Sequence, residues 1–164
     1  MYIRSSKVLL IWAVAFHVSL VGLNNLIDYG SNFAFVSHVL QMDTTFPGNR
    51  LMWRAIDLPL LHHAVYWFII LAELTIAALC WLGGLRLVRS LNDSDLFNKS
   101  KDVAVAGLTL GILLWFTGFI TVGGEWFLMW QSATWNGEEA AFRLVAVLGI
   151  VLLYLTQPDG NANG

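Results

Sequence analysis

The stretch GFITVGGEWFLMWQSATWNGEEAAFR, residues 118–143, decides the class of this chain. It begins as an apolar helix, leaves that helix through Glu125 and three tryptophans, and enters a second apolar helix that carries Arg143. Tryptophan combines an apolar ring with an N–H donor and is enriched where a bilayer meets water. The pattern is therefore typical of a membrane protein with a polar rim at one end of a helix bundle.

The composition indicates the same class. Of 164 residues, 57% are hydrophobic and 12% are charged, whereas soluble domains have roughly 45–50% and about 25%. Nucleic acid is excluded as a partner, because phosphate binding needs clustered Lys and Arg and the net charge is −2. The length predicts one domain, 1–164, and the composition predicts the lipid bilayer as its surroundings.

Four apolar windows are long enough to cross a hydrocarbon core of ~30 Å, which takes about 20 residues. They cover 8–27, 64–85, 103–126 and 140–155. Backbone groups in lipid must be hydrogen-bonded within their own segment, so each window predicts a helix. The predicted fold class is all-α, a bundle of four transmembrane helices.

Two further segments lie outside the predicted spans. Segment 28–63 has two apolar faces separated by the polar turn 43–49, and it predicts a periplasmic-side cap of two short amphipathic helices. The tail 157–164 is polar and has no apolar periodicity, so it predicts disorder.

The distribution of cations predicts the orientation. With the N-terminus inside, six of the nine Lys and Arg are cytoplasmic: Arg4, Lys7, Arg86, Arg89, Lys99 and Lys101. Three remain outside: Arg50, Arg54 and Arg143. The positive-inside rule therefore favours both termini in the cytoplasm.

Polar residues on the predicted helices align by face and depth. His17, Asn24 and Asp28 share one face of the first helix at ~100° per residue. His17 comes eleven residues before Asp28, and Glu73 comes eleven residues after His62. Both therefore lie about 16 Å below the outer boundary at ~1.5 Å per residue, which predicts a buried, mid-membrane His17–Glu73 pair.

Above this pair the same placement predicts an outer polar layer, the candidate binding site, which consists of Asp28, His62, His63, Glu125 and Arg143. Intramembrane charges either pair with one another or mark a ligand or ion pathway. Both roles stay open for the outer layer. For the His17–Glu73 pair, a structural link between helices and a functional role also stay open.

The spacing supports neither a metal nor a haem. His62 and His63 are adjacent and point about 100° apart on a helix, which is unsuited to gripping one ion, and a metal in the outer layer stays open. A bis-histidine haem needs a second histidine at the depth of His17. Tyr66, together with His17 and Glu73, could line a quinone pocket, so a quinone is the remaining cofactor candidate.

Three segments resemble a known family: NLIDYGSNFAFVSHVLQMD at 25–43, RAI at 54–56, and GGEWFLMWQSATWNG at 123–137 with AFR at 141–143. The chain is similar, over nearly its whole length, to bacterial small integral membrane proteins of unknown function. The resemblance implies a four-helix inner-membrane protein. It implies no activity, substrate or catalytic residue.

Small size, the predicted cap and the lack of a catalytic motif favour a non-enzymatic membrane module. Such a module is either an accessory subunit, in contact with another membrane protein or with its own copies, or a small-ligand-binding protein with an outer polar site. One alternative is a quinone-interacting redox protein. The other is a proton-coupled transporter or channel, although the chain has no internal repeat.

Overall fold

The computed structural model describes residues 1–160, and every element in that part of the chain is helical. Four helices are long and apolar enough to cross a membrane: Tyr2–Ile27, Pro59–Arg89, Ser94–Trp126 and Glu138–Thr156. The all-α fold class with four spanning helices is therefore confirmed. The third long helix ends at Trp126, as the sequence predicts.

The elements follow one another along the chain in this order: α1 (Tyr2–Ile27), α2 (Tyr29–Gln41), a 3-10 turn (Met52–Arg54), α3 (Pro59–Arg89), α4 (Ser94–Lys99), α5 (Asp102–Ile112), a π-helical segment (Leu113–Trp126), a second 3-10 turn (Met129–Gln131) and α6 (Glu138–Thr156). The π-helical segment continues α5 without a break. We call the end with the start of α1 and the end of α6 the terminal end, and the end with α2 the cap end.

The segment across the cap end differs in one respect from the prediction. Only its first half is a helix, α2, whereas the second half contains no more than the 3-10 turn Met52–Arg54. Leu58 precedes Pro59 and is extended, because the proline ring disfavours the helical conformation of the residue before it. The side of the membrane that the cap faces stays a prediction.

Helix α3 lies at the centre of the bundle, between α1 and α5. Glycines allow its close approach to α5. A Cβ added at Gly83 would lie 2.7 Å from the Cβ of Ala104, and one added at Gly107 would lie 2.9 Å from Sγ of Cys80. Small residues at a helix crossing gain packing contacts in lipid, where no hydrophobic effect drives the helices together.

The cap is packed on the bundle. One group of buried apolar side chains fills the space between the long helices. A second group joins Val36 of α2 to Tyr66 and Ile70 of α3 and to Phe127 and Leu128. The position of α2 is thus determined by buried side chains of α3 and of the chain that follows the π-helical segment.

At the terminal end, part of the predicted disordered tail is held in place. Nζ of Lys7 and Nζ of Lys101 each lie 2.6 Å from Oδ2 of Asp159, and both also donate to the carbonyl of Gln157. The prediction of disorder is wrong for residues 157–160, because two buried lysines need an anionic partner and the polar tail supplies it. The rest of the predicted tail, 161–164, lies outside the described residues.

The π-helical segment forms the last part of the third long helix. At its end the N–H of Phe127 donates to the carbonyl of Val122, five residues earlier, at 3.0 Å. Gly118, Gly123 and Gly124 are weak helix formers and reduce the preference for regular α-helical bonding. π-Helical geometry is rare in proteins and frequently occurs at functional sites.

Candidate functional site

The predicted His17–Glu73 pair is not formed. His17 is exposed on α1, whereas Glu73 is buried between α1 and α3. Oε2 of Glu73 accepts a hydrogen bond from Nδ2 of Asn25 at 2.7 Å. The prediction placed Glu73 at the depth of His17, whereas its partner Asn25 lies eight residues, about 12 Å, farther along α1. It also turned α1 by about one residue, ~100°, so that Asn24 rather than Asn25 was expected to face α3.

Asn25 is the polar residue of this interface that sequence reasoning missed. Its backbone carbonyl accepts a hydrogen bond from the hydroxyl of Tyr66 at 3.0 Å. Gly22 lies one turn earlier on the same face, where a Cβ would come within 3.1 Å of the side chain of Leu74. The signal in the sequence was therefore the pairing of a glycine with a polar residue three positions later, which is typical of a helix contact in lipid.

The adjacent histidines His62 and His63 have different surroundings. His62 is buried at the start of α3, and its Nε2 lies 2.8 Å from the carbonyl oxygen of Ile56. His63 stacks on Phe33 with ring centroids 4.1 Å apart, and its Nδ1 lies 2.8 Å from the hydroxyl of Tyr29. Burial raises the pKa of Tyr29. Both histidines thus attach the cap segment to α3.

Within residues 1–160, the other three members of the predicted outer layer make no contact with one another that forms a hydrogen bond or an ion pair. Arg143 pairs with Glu139, one turn earlier on α6, and both side chains are exposed. Asp28 and Glu125 are also exposed. Among the described residues, no hydrogen bond or ion pair joins two of the five members of the layer. A shared binding role for them stays a prediction.

No metal centre is evident within residues 1–160: no group of three or more His, Cys, Asp or Glu there is arranged to hold an ion. One pair of titratable groups lies within the cap, where Nδ1 of His38 is 2.6 Å from Oδ2 of Asp43. The ring of His38 also stacks on Trp135. This stack attaches the cap to the chain between the π-helical segment and α6.

An apolar cavity of about 250 Å³ lies beneath the cap, between α2, α3 and the π-helical segment. Its buried lining comes from the cap, from the π-helical segment and from the chain after it: Val36, Leu40, Leu114, Gly123, Phe127 and Met129. Phe68, Gly118 and Val122 also line it, and these three are exposed on spanning helices. The cavity therefore opens sideways, toward the hydrocarbon of the bilayer.

Two residues with unfavourable backbone conformations border this cavity. Leu128, between the lining residues Phe127 and Met129, has a φ of 55°, and Met42, two residues after the lining residue Leu40, has a φ of 54°. A left-handed conformation costs an L-residue roughly 1–2 kcal/mol. Such residues cluster at ligand-binding and active sites, because the surrounding packing must hold them in place.

Arg54 contacts Trp126, which precedes the cavity-lining residue Phe127 in the chain. Its guanidinium carbon is 4.5 Å from the ring centre of Trp126, the neighbour of the lining residue Phe127, and 5.3 Å from that of Trp53. One terminal N–H donates to the carbonyl of Trp126 at 3.3 Å, whereas the buried Nε has no hydrogen-bond partner. Within the described part of the chain, Arg54 belongs to no ion pair. This guanidinium is suited to an anionic group from outside the chain.

From the sequence, Arg54 is one of three cations predicted at the outer surface, with no specific partner. A more specific signal was available, because Trp53 is its neighbour in sequence and Trp126 ends the third span. An arginine between two tryptophans is a cation–π arrangement. The cavity itself had no signal in the sequence, since it depends on how three separate elements pack.

Comparison with known proteins identifies one family. The sequence model described as "Predicted small integral membrane protein (DUF2165)" matches residues 3–158. No curated protein and no solved structure matches the chain. The description of the family names no ligand and no reaction.

Proposed function

Since the chain belongs to this family of small integral membrane proteins, we propose that it is a non-enzymatic membrane module that binds one hydrocarbon chain of a lipid under its cap. The supporting observation is a cavity of about 250 Å³ with almost no polar lining, open between two spanning helices. An apolar cavity of roughly 150 Å³ is large enough to bind benzene. The cavity beneath the cap thus has room for several carbon atoms of a chain.

Arg54 supports a lipid with a phosphate group as the ligand. A guanidinium group can donate two parallel hydrogen bonds to phosphate oxygens. Arg54 lies next to Trp126 and Trp53, and tryptophan is enriched at the depth of the lipid headgroups. A lipid with its chain in the cavity and its phosphate near Arg54 would satisfy both features.

A quinone suits this cavity less well. Quinone oxygens accept hydrogen bonds, and burying them without donors is unfavourable, yet the lining is almost entirely apolar. The quinone alternative also relied on a pairing of His17 with Glu73, whose observed partner is Asn25. The geometry therefore favours a hydrocarbon chain.

The test is photo-crosslinking in nanodiscs with a phospholipid that carries a diazirine in its acyl chain. The variant Gly118→Leu places a side chain in the cavity. A Cβ at Gly118 meets only Leu114, at an ordinary 3.9 Å, so the helices are not forced apart. Gly149→Leu is the matched control. Gly149 lies on α6, away from the cavity lining, and a Cβ added there meets no atom within 4 Å.

We expect wild-type protein and Gly149→Leu to be labelled on the cavity lining, around Leu40 and Phe127. Labelling there should fall several-fold in Gly118→Leu, because the added side chain occupies the space of the lipid chain. Equal labelling of the lining in all three proteins would contradict the proposal. Native mass spectrometry then shows whether the retained molecule is a phospholipid.

A further inference from the structure

One face of α1 is exposed along most of the helix, and its residues recur at intervals of seven. Leu10, His17 and Asn24 form one such series, and Ala13, Leu20 and Ile27 form a second series beside it. All six are exposed. The alternating spacing of three and four residues is that of the contact line between two helices in a left-handed coiled coil. We call these six residues the α1 seam.

Two polar residues of the seam lie at membrane depth. Helix α1 has 26 residues, which makes it about 39 Å long, and His17 falls near its middle. Neither the side chain of His17 nor that of Asn24 forms a hydrogen bond or ion pair within residues 1–160. Polar side chains in spanning helices almost always face other protein or a water-filled space. The seam of an isolated chain is therefore incompletely satisfied.

We infer that the α1 seam packs against the α1 seam of a second copy of this chain. Two copies with the same orientation in a membrane place each residue at the same depth, around a two-fold axis along the membrane normal. His17 then meets His17 of the other copy, and Asn24 meets Asn24. A neutral imidazole and an amide each contain a donor and an acceptor, so each can pair with its own kind.

The remaining seam residues fit this arrangement. Ala13 is small and allows the two helix backbones to approach closely, as small residues do between spanning helices. Toward the N-terminus, Ser6 is already engaged by the hydroxyl of Tyr154 at 2.8 Å, so the free part of the face begins at Leu10. At the other end Asp28 follows the helix and is exposed near the membrane surface, where its charge can reach water.

The seam is separate from the proposed lipid cavity. The cavity lies between α2, α3 and the π-helical segment, and no residue of α1 lines it. Either proposal can therefore fail without the other.

The first test is oxidative crosslinking, in native membranes, of variants that each add one cysteine to the native Cys80. Leu20→Cys places a thiol in the seam, and Ile150→Cys places one on α6 at a side chain that is 67% exposed. The native Cys80 is fully buried and stays in place. We expect a covalent dimer of this chain from Leu20→Cys and none from Ile150→Cys. A Leu20→Cys product that contains a different protein, or no product, would overturn the inference.

The second test measures dimerisation directly, by single-molecule photobleaching in liposomes over a range of protein densities. The double variant His17→Leu, Asn24→Leu removes the polar contacts and keeps the seam apolar. We expect dimerisation roughly three- to tenfold weaker per lost pair, as for hydrogen bonds between spanning helices. Unchanged dimerisation of the double variant, or a monomeric wild type at all densities, would refute the inference.

Discussion

The two ends of the bundle differ in whether their cations have carboxylate partners. At the terminal end, Lys7 and Lys101 are buried with Asp159, and these side chains are 1%, 8% and 3% exposed. At the cap end, Arg54 packs against Trp126 and has no carboxylate partner among the described residues. The buried cations of the terminal end bind Asp159 or, in the case of Arg4, backbone carbonyls. The cap end has an apolar cavity and a guanidinium without a carboxylate partner among the described residues.

This difference shows where stability and binding are located. A buried ion cluster is stable only when each charge keeps its partner, so the terminal end has little freedom to change. The cap end is bordered by Leu128 and Met42 in left-handed conformations and contains unfilled apolar space. A ligand that fills this space and pairs with Arg54 would gain contacts that the chain alone does not supply.

The largest expected effect follows from removing the centre of the ion cluster. Asp159→Ala leaves Lys7 and Lys101 buried without a counter-charge. Because an uncompensated buried charge is costly, we expect the free energy of unfolding to fall by about 3–5 kcal/mol. Denaturant-induced unfolding in mixed micelles measures this loss.

The matched control at the same end is Asp102→Ala. Asp102 pairs with Arg86 at 3.4 Å, and these side chains are 65% and 56% exposed. Exposed ion pairs contribute about 0–1 kcal/mol. Equal losses in Asp102→Ala and Asp159→Ala would mean that the terminal end is not held by its buried cluster.

The same cluster predicts a dependence of stability on pH. Burial alone would raise the pKa of Asp159, but hydrogen bonds from Lys101 and Lys7 and their charges outweigh it and lower the pKa below its ordinary 3.8. The stabilisation is therefore fully present above pH 3.8 and is lost as the pH falls through the folded-state pKa. Unfolding of wild type should become easier over that range, while Asp159→Asn should show a flatter dependence.

In the contact between α1 and α3, Asn25→Ala should have an intermediate effect. The substitution leaves the carboxyl group of Glu73 without its amide donor. We expect a loss of about 1–3 kcal/mol, the cost of a buried polar group without a partner. Asn24→Ala, measured in detergent at dilutions where the chain is monomeric, is the control, since Asn24 is exposed. A larger loss in Asn24→Ala would restore the helix rotation expected from sequence.

The smallest effect on stability is expected at the cap end. Arg54→Leu removes cation–π contacts with Trp53 and Trp126, which contribute about 0.5–1 kcal/mol at an exposed site. Arg50→Leu is the control, because Arg50 is exposed. The same unfolding measurement applies. A loss in Arg54→Leu as large as that in Asp159→Ala would remove the contrast between the two ends.

Much of the fold could be predicted from local sequence. Four spans follow from runs of apolar residues, and the end of the third at Trp126 follows from the change to Glu125, Trp126 and the polar residues beyond. The cap was predicted less well, because its second apolar stretch forms only the 3-10 turn Met52–Arg54. Pro59 accounts for the extended conformation of Leu58, but the residues before Leu58 have no such local signal.

The candidate site could not be predicted in the same way. The sequence indicated that Glu73 faces the interior, and it is buried. The same alignment assigned it His17 instead of Asn25, because depth was counted from Asp28 and His62 as if both lay at one level, and the rotation of α1 was inferred from a polar stripe. That stripe, which includes Asn24, lies on the exposed face of α1. If the α1 seam joins two copies, these polar residues contact a second chain and not another helix of the same chain.

The sequence by itself determined that this protein crosses a membrane four times, since a span requires only about 20 apolar residues and internal backbone hydrogen bonds. Only the tertiary structure decided which face of each helix meets its neighbours, where Asp159 docks and where the cavity lies. The reason is that lipid tails are as apolar as leucine. Hydropathy therefore cannot distinguish a lipid-facing side chain from a buried one, and packing around residues such as Gly22 and Gly83 makes that choice.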